Sequence, residues 1–287
     1  MSAGAGGVRE VDAAAITDAV ARLCVEANLR LPCGVERAIR EAAASEPWPA
    51  ARATLEDLAR NLDVAAEEQV AICQDTGIVT VFVELGQDVH VVGGGLDEAV
   101  QEGVRRGYER GYLRKSVVSD PLRRVNTGDN TPATVVVDVV PGDRVELHVA
   151  PKGAGSENMC RVAMLKPADG IEGVRSFVLD AVVGAGGRPC PPTVVGVGVG
   201  GTFDSVARLA KRALLRPIDE PNPDPLYAGL ERELLEAINA SGVGPGGLGG
   251  ATTALAVLVN AAPTHIAMLP VAVCISCHVT RHASEVL

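Results

Sequence analysis

The sequence is poor in aromatic residues, with three Phe, three Tyr and one Trp among 287, or 2%. That excludes the stacking platforms on which proteins lay single-stranded nucleic acid. It also lacks a basic excess: 26 Lys and Arg stand against 36 Asp and Glu, a net charge of −10. A surface built to grip a phosphate backbone is excluded as well. Long apolar runs are missing too. The most apolar stretch, Ala251 to Cys277, is broken by Asn260, Pro263, His265 and Pro270, whereas a membrane span needs roughly 18 uninterrupted apolar residues. The first residues, MSAGAGGVREVD, carry no apolar core of a secretory signal. With seven Cys and no visible export signal, a reducing compartment, the cytoplasm, is expected. There, cysteines fill cores, bind metals or do chemistry more often than they pair.

What is present is bulk from Ala, Val and Leu threaded by 32 Gly, in a chain 47% hydrophobic and 22% charged. That is ordinary for a soluble globular protein. The length allows one large domain or two small ones, and we read residues 1–287 as a single domain. Apolar residues at Ile16, Val20, Leu23 and Ala27 have helical spacing, with Asp12 as the N-cap. Helices are also expected over 35–44 and 50–69, on either side of the breaker Glu46-Pro47-Trp48-Pro49. Residues 78–85 and 89–92 are β-rich, and 96–113 returns to helix. Two β-branched runs, 134–140 and 144–150, are joined by the turn Pro141-Gly142-Asp143. Helices over 170–183, 205–215 and 225–240 and strands over 193–199, 252–259 and 265–273 complete the pattern. The fold class is therefore mixed α/β (α+β), with a mainly helical 1–70 and a mixed α/β body over 71–287.

Several motifs carry chemistry, each beside a bland alternative. Gly196-Val-Gly198-Val-Gly200-Gly201 fits the dinucleotide fingerprint, with Asp219 about 20 residues on; in a chain this rich in Gly it also fits a tight strand-to-helix turn. Cys274-Ile-Ser-Cys277-His278 fits the haem c attachment pattern, although that attachment occurs outside the cytoplasm. With His282 the same residues resemble a compact zinc site, but zinc ligands normally come from two separated pairs. Cys73-Gln74-Asp75-Thr76-Gly77 sets a soft ligand beside an acid at the junction of the helical and β parts; its alternative is an Asx-type turn with an incidental Cys. The polar loop 126–132 and the Gly-rich Lys152 to Asn158 read as anion-facing backbone or as surface turns. Arg114 and Lys115, at the end of a helix, read as partners of its dipole.

Taken together, AICQDTG (71–77), GYLRKSVVSDPLRRVNTGDNTP (111–132), PKGAGSENM (151–159), CPPTVVGVGVGGTFD (190–204) and HIAMLPVAVCISCH (265–278) resemble the α subunit, or N-terminal half, of class I fumarases and the related L-tartrate dehydratases. They follow the family's order over about 200 residues, and the KGAGSEN segment is closer to the fumarase branch. The resemblance implies a hydro-lyase that reversibly hydrates fumarate to malate, a step of the tricarboxylic acid cycle, with mesaconate or tartrate as other substrates. It implies a [4Fe–4S] cluster on Cys73, Cys190 and Cys277, ligands too far apart for spacing to reveal. Cys274 is then not a ligand, and Cys24, Cys33 and Cys160 are core or incidental. Asp75 matches the residue that exchanges a proton with the hydroxyl, while Gln74, Arg114, Gly155 and His265 match substrate-lining positions. The base that takes the carbon-bound proton belongs, in the family, to the other half of the enzyme. The resemblance thus implies a separate β subunit and a dimer of heterodimers. Two other readings stand beside it: a non-enzymatic cluster-carrying protein and a Gly-loop nucleotide enzyme.

Overall fold

The computed structural model describes residues 7–287. In chain order its elements begin with β1 (Arg9–Asp12), α1 (Ala13–Leu29), α2 (Cys33–Ser45), α3 (Pro49–Glu68), β2 (Ile78–Gly86), β3 (Val89–Val92) and α4 (Leu96–Arg110). They continue with β4 (Thr134–Val140), β5 (Val145–Lys152), the single turn α5 (Ala154–Glu157), β6 (Arg161–Leu165), α6 (Gly170–Ala185) and β7 (Thr193–Gly201). The last are α7 (Phe203–Ala213), α8 (Pro225–Ala240), β8 (Ala254–Thr264), β9 (Leu269–Ser276) and β10 (Ala283–Val286). Helices and mixed sheets make this an α/β protein. Among the described residues, no helix is long and apolar enough to cross a membrane.

The chain divides into two compact units that interleave in sequence. The first takes the chain up to Arg30, then Glu68–Gly153 and Arg281–Leu287. Its four-stranded sheet has the order β10-β5-β2-β4. Asp12 caps α1 by accepting from the Ala14 N–H at 2.8 Å, and the helix buries Ile16, Val20, Leu23, Cys24 and Ala27. These meet Val79, Val81 and Val83 of β2, Leu147 and Val149 of β5, and Val100, Val104 and Tyr108 of α4 in one core. Alternate strand residues supply it, as the two-residue period of a strand requires. The Pro141–Asp143 turn does not close a hairpin. β2 lies between its two strands, parallel to β4 and antiparallel to β5.

The second unit comprises Leu31–Glu67 and Ala154–Thr280. Its sheet, β6-β9-β7-β8, is buried on both faces. Val195, Val197, Val257, Val259, Val271, Val273 and Ile275 pack on α6 and α8. Val194, Ala256, Leu258, Ala272 and Cys274 face α7. The near-continuous apolar run of β7 is what two covered faces demand. Its glycines serve packing: a Cβ on Gly196 would strike the Ala210 carbonyl of α7, and one on Gly198 the Val206 carbonyl. The dinucleotide fingerprint is thereby reassigned, because two of its glycines lie inside a strand to let a helix approach. Glu46, at the end of α2, is buried and accepts from the Ala251 N–H at 3.0 Å and from the Thr252 N–H and hydroxyl at 3.1 and 3.0 Å.

Several expected elements differ from the structure, and the strand expected to end at Val259 runs on to Thr264. The helix expected to reach Leu113 stops at Arg110, where Gly111 ends it and Tyr112 turns left-handed at φ 51. The strand expected from His265 begins at Leu269; His265 belongs to the turn that follows β8.

Candidate active site

The loop between α3 and β2 carries Cys73, Gln74 and Asp75. Its backbone is fastened from several directions within the first unit. The buried Tyr108 hydroxyl donates to the carbonyls of Thr76 and Gly77 at 2.6 and 3.1 Å. The Thr76 hydroxyl donates to the Arg114 carbonyl at 3.0 Å, tying this loop to the segment beyond α4. Asn130, fully buried, donates to the Gly77 carbonyl at 3.2 Å and accepts from the Ser116 N–H at 2.7 Å. Arg281 donates from Nη2 to the Asp75 carbonyl at 2.5 Å and from Nε to the Pro151 carbonyl at 3.4 Å. Gly77, at φ 78, leaves no room for a side chain against the Lys152 backbone.

With its backbone held, the loop sets its side chains. Asp75 Oδ1 accepts from the Gly77 N–H at 3.0 Å, which is the Asx-type turn expected of this sequence. Its Oδ2 faces Gly153, where a Cβ would sit only 2.9 Å away. The Asp75 N–H points at Cys73 Sγ, 3.4 Å distant. Cys73 is half-buried and Gln74 exposed. Arg114 is exposed and lies four residues past the end of α4.

In the second unit, Cys190 is exposed and left-handed at φ 54. Its carbonyl accepts from the His278 N–H at 3.3 Å and from His278 Nδ1 at 3.1 Å, which brings its turn beside half-buried Cys277. Gly155, in α5, is exposed; a side chain there would meet only the Arg188 carbonyl, at 3.7 Å. Gly155, Cys190 and Cys277 therefore gather at one end of the sheet, where β7 begins and β9 ends. His265 does not join them. It sits before β9, whose eight residues at about 3.3 Å each place it roughly 26 Å from Cys277. There its Nδ1 accepts from the Ala267 N–H at 3.1 Å.

Within the second unit, the Cys190 and Cys277 thiols are donors of the kind a soft metal group takes. Cys190 is exposed, and Cys73 and Cys277 are half-buried. Cys24 is the opposite case: burial in the α1 core pushes its thiol far up and keeps it protonated. Sequence reasoning missed Tyr108, Asn130 and Arg281, which hold the loop. The only signal was Asn130 inside a polar Gly-containing loop, a setting in which Asn tolerates the positive φ it adopts, 63. Its neighbour Asp129 belongs to the same framework. Burial pushes its carboxyl up, but hydrogen bonds from the Thr131 N–H and hydroxyl and from Arg105 prevail and hold it at about 2.

Two well-formed hollows lie elsewhere. One, about 480 Å³, is lined by α1 residues, Gln69 and Arg110. The other, about 280 Å³, is lined by Ile171, Tyr227, Met268 and their neighbours. A separate group, Glu157, Cys160 and Cys274, brings its donor atoms within 4.8 Å of one another.

The profile of the family described as Fumarate hydratase (Fumerase) matches residues 17–286. A protein of Methanocaldococcus jannaschii named putative L(+)-tartrate dehydratase subunit alpha is 44% identical over 274 residues, covering 93% of this chain and 96% of that protein. The L(+)-tartrate dehydratase subunit alpha of Escherichia coli strain UTI89 is 31% identical over 273 residues, 94% of this chain and 89% of that protein. Its counterpart in Shigella sonnei is 30% identical over the same shares.

Proposed function

This chain belongs to the fumarate hydratase family of hydro-lyases, and from that premise we propose that it is the α subunit of a cytoplasmic two-subunit enzyme adding water across the double bond of fumarate to give L-malate. The observation that carries the chemistry is the Asp75 loop: a carboxylate with one oxygen committed to its own turn and the other facing Gly153, where a side chain would collide with it, two residues on from a thiol.

Cys73, Cys190 and Cys277 would hold a [4Fe–4S] cluster. When bound, such a cluster, with three protein thiolates, supplies one iron as a Lewis acid for substrate oxygens. The Asp75 carboxylate, through the oxygen not used in the turn, takes a proton from the attacking water and returns it in the reverse direction. Arg114, exposed beyond α4, pairs a substrate carboxylate through its two-pronged guanidinium. The Gln74 amide donates to the same dicarboxylate. Gly155, lacking a side chain, lets the substrate approach the backbone. His265, at the far end of β9, is assigned no contact with a substrate held at the Cys190–Cys277 end. The carbon-acid base and the remaining carboxylate contacts are assigned to a β subunit, in a dimer of heterodimers.

A second reading, L-tartrate as substrate, is favoured by the names of the relatives. The two substrates differ in one hydroxyl, which a tartrate site must hydrogen-bond and a fumarate site need not. The test is co-expression with the partner subunit and purification without oxygen, then iron and sulfide assay and kcat/KM on fumarate, mesaconate and L-tartrate. We expect bound iron and the highest value on fumarate. A higher value on L-tartrate overturns the substrate, a colourless active enzyme overturns the cluster, and full activity of the lone chain overturns the two-subunit reading.

A further inference from the structure

Cys160 and Cys274 face each other at the edge of the β6–β9 ladder. The outermost registered pair there is Arg161 with Val273, so one step outward sets Cys160 opposite Cys274. Their Sγ atoms are 3.7 Å apart. Directly opposed residues of an antiparallel pair have Cα atoms about 4.5–5.5 Å apart, inside the roughly 4.4–6.8 Å a disulfide requires. A bond requires the sulfurs to close from 3.7 Å to about 2.05 Å. We propose that Cys160 and Cys274 are a modification site, a thiol pair that a small-molecule disulfide oxidises reversibly to a cross-strand bond.

The same atoms with Glu157 form a three-donor group, but the carboxylate is already engaged. Glu157 Oε1 holds the Lys211 ammonium at 2.7 Å, and an entering metal cation would have to displace it. Cys160 is partly exposed and Cys274 buried, which orders the steps. The Cys160 thiolate attacks one sulfur of the oxidant, breaking its S–S bond and expelling one thiolate. The Cys274 thiolate then attacks the Cys160 sulfur and expels the second. The two protein thiols lose two electrons, the oxidant gains them, and the two thiol protons end on the two released thiolates. The product bond pins α5, which carries Gly155, to β9 three residues before Cys277. In that effect on the site the inference rests on the proposed function, but the bond itself does not.

The test uses the full chain, purified without oxygen and equilibrated at graded ratios of oxidised to reduced dithiothreitol, with peptide mapping by fragmentation. We expect loss of two of the seven thiols, a Cys160–Cys274 linked peptide, full reversal by reduced reagent, and no linkage in Cys274→Ser. Absence of the link at the highest oxidised ratio overturns the proposal. So does a link from Cys160 to Cys277, a link persisting in Cys274→Ser, or equal linkage in denaturant. Because the readout is a covalent bond, an inactive chain that still forms it sinks the enzymatic reading and leaves this one standing.

Discussion

Asp75 divides its labour between its two oxygens. Oδ1 closes the turn on the Gly77 N–H, and Oδ2 faces Gly153, the oxygen to which the proposed function gives the proton exchange. Asp75→Asn keeps an oxygen for the turn but removes the exchangeable proton site, so kcat should fall by about 10²–10⁴-fold with iron content unchanged. Steady-state kinetics beside an iron assay checks both halves. Arg114→Lys keeps the charge but loses the fork. A charge-assisted hydrogen bond is worth about 1.5–3 kcal/mol, so KM for the dicarboxylate should rise roughly ten- to hundredfold. Replacing Cys73, Cys190 or Cys277 with Ala should each abolish bound iron and sulfide, while Cys274→Ala should retain both. Here legibility was uneven. Seven cysteines offer no spacing that selects those three, and only likeness to a known family did so. Burial alone sets Cys24 apart, which no sequence pattern marks. Arg281 was invisible because its work is done on backbone carbonyls at Asp75 and Pro151, far away in sequence.

At the level of elements, periodicity was a good guide wherever an element was long. The spacing of Ile16, Val20 and Leu23 placed α1 and its cap, and the unbroken apolar run of β7 marked a strand covered on both sides. Of the short strands, β3 was read as a β-rich run, but three others were missed. β1, β6 and β10 have only four or five residues, too few to show a period. The pairing of β4 and β5 with β2 was hidden because Pro141-Gly142-Asp143 has the composition of a hairpin turn in either topology. The β7 glycines give this scale its test. Gly196→Ala forces a methyl into the Ala210 carbonyl, and such overpacking costs typically about 1–3 kcal/mol. The urea midpoint should drop accordingly, with α7 moving off the sheet. Tyr108→Phe removes the only hydroxyl serving both the Thr76 and Gly77 carbonyls among the described hydrogen bonds. The expected cost is about 1–3 kcal/mol, seen in the same unfolding experiment.

Both units carry acid-sensitive groups, among them His282 in the first and Glu46 in the second. Burial, reinforced by the charge of His148, pulls His282 down to about 4 from its ordinary 6.5. The folded chain therefore binds fewer protons there than the unfolded chain. The associated stability is complete above about pH 6.5 and is lost as pH falls toward 4. For Glu46, burial pushes the carboxyl up, but hydrogen bonds from Ala251, Thr252 and Trp48 outweigh it and hold it below its ordinary 4.5. Its contribution is lost only below that value. The urea midpoint should thus begin to decline between about pH 6.5 and 4, before the lowered carboxylates contribute, and His282→Gln should remove that early decline. Neither point was readable beforehand, since both depend on neighbours more than a hundred residues distant. The interleaving of the units has a further consequence, for the order in which the protein is made. Domains generally fold as units while the chain emerges, yet the first unit takes its edge strand β10 from residues 281–287. Every residue of the second unit leaves the ribosome earlier. The first sheet to be started is thus the last to be finished, and β5 must wait with an unpaired edge until the second unit has been synthesised.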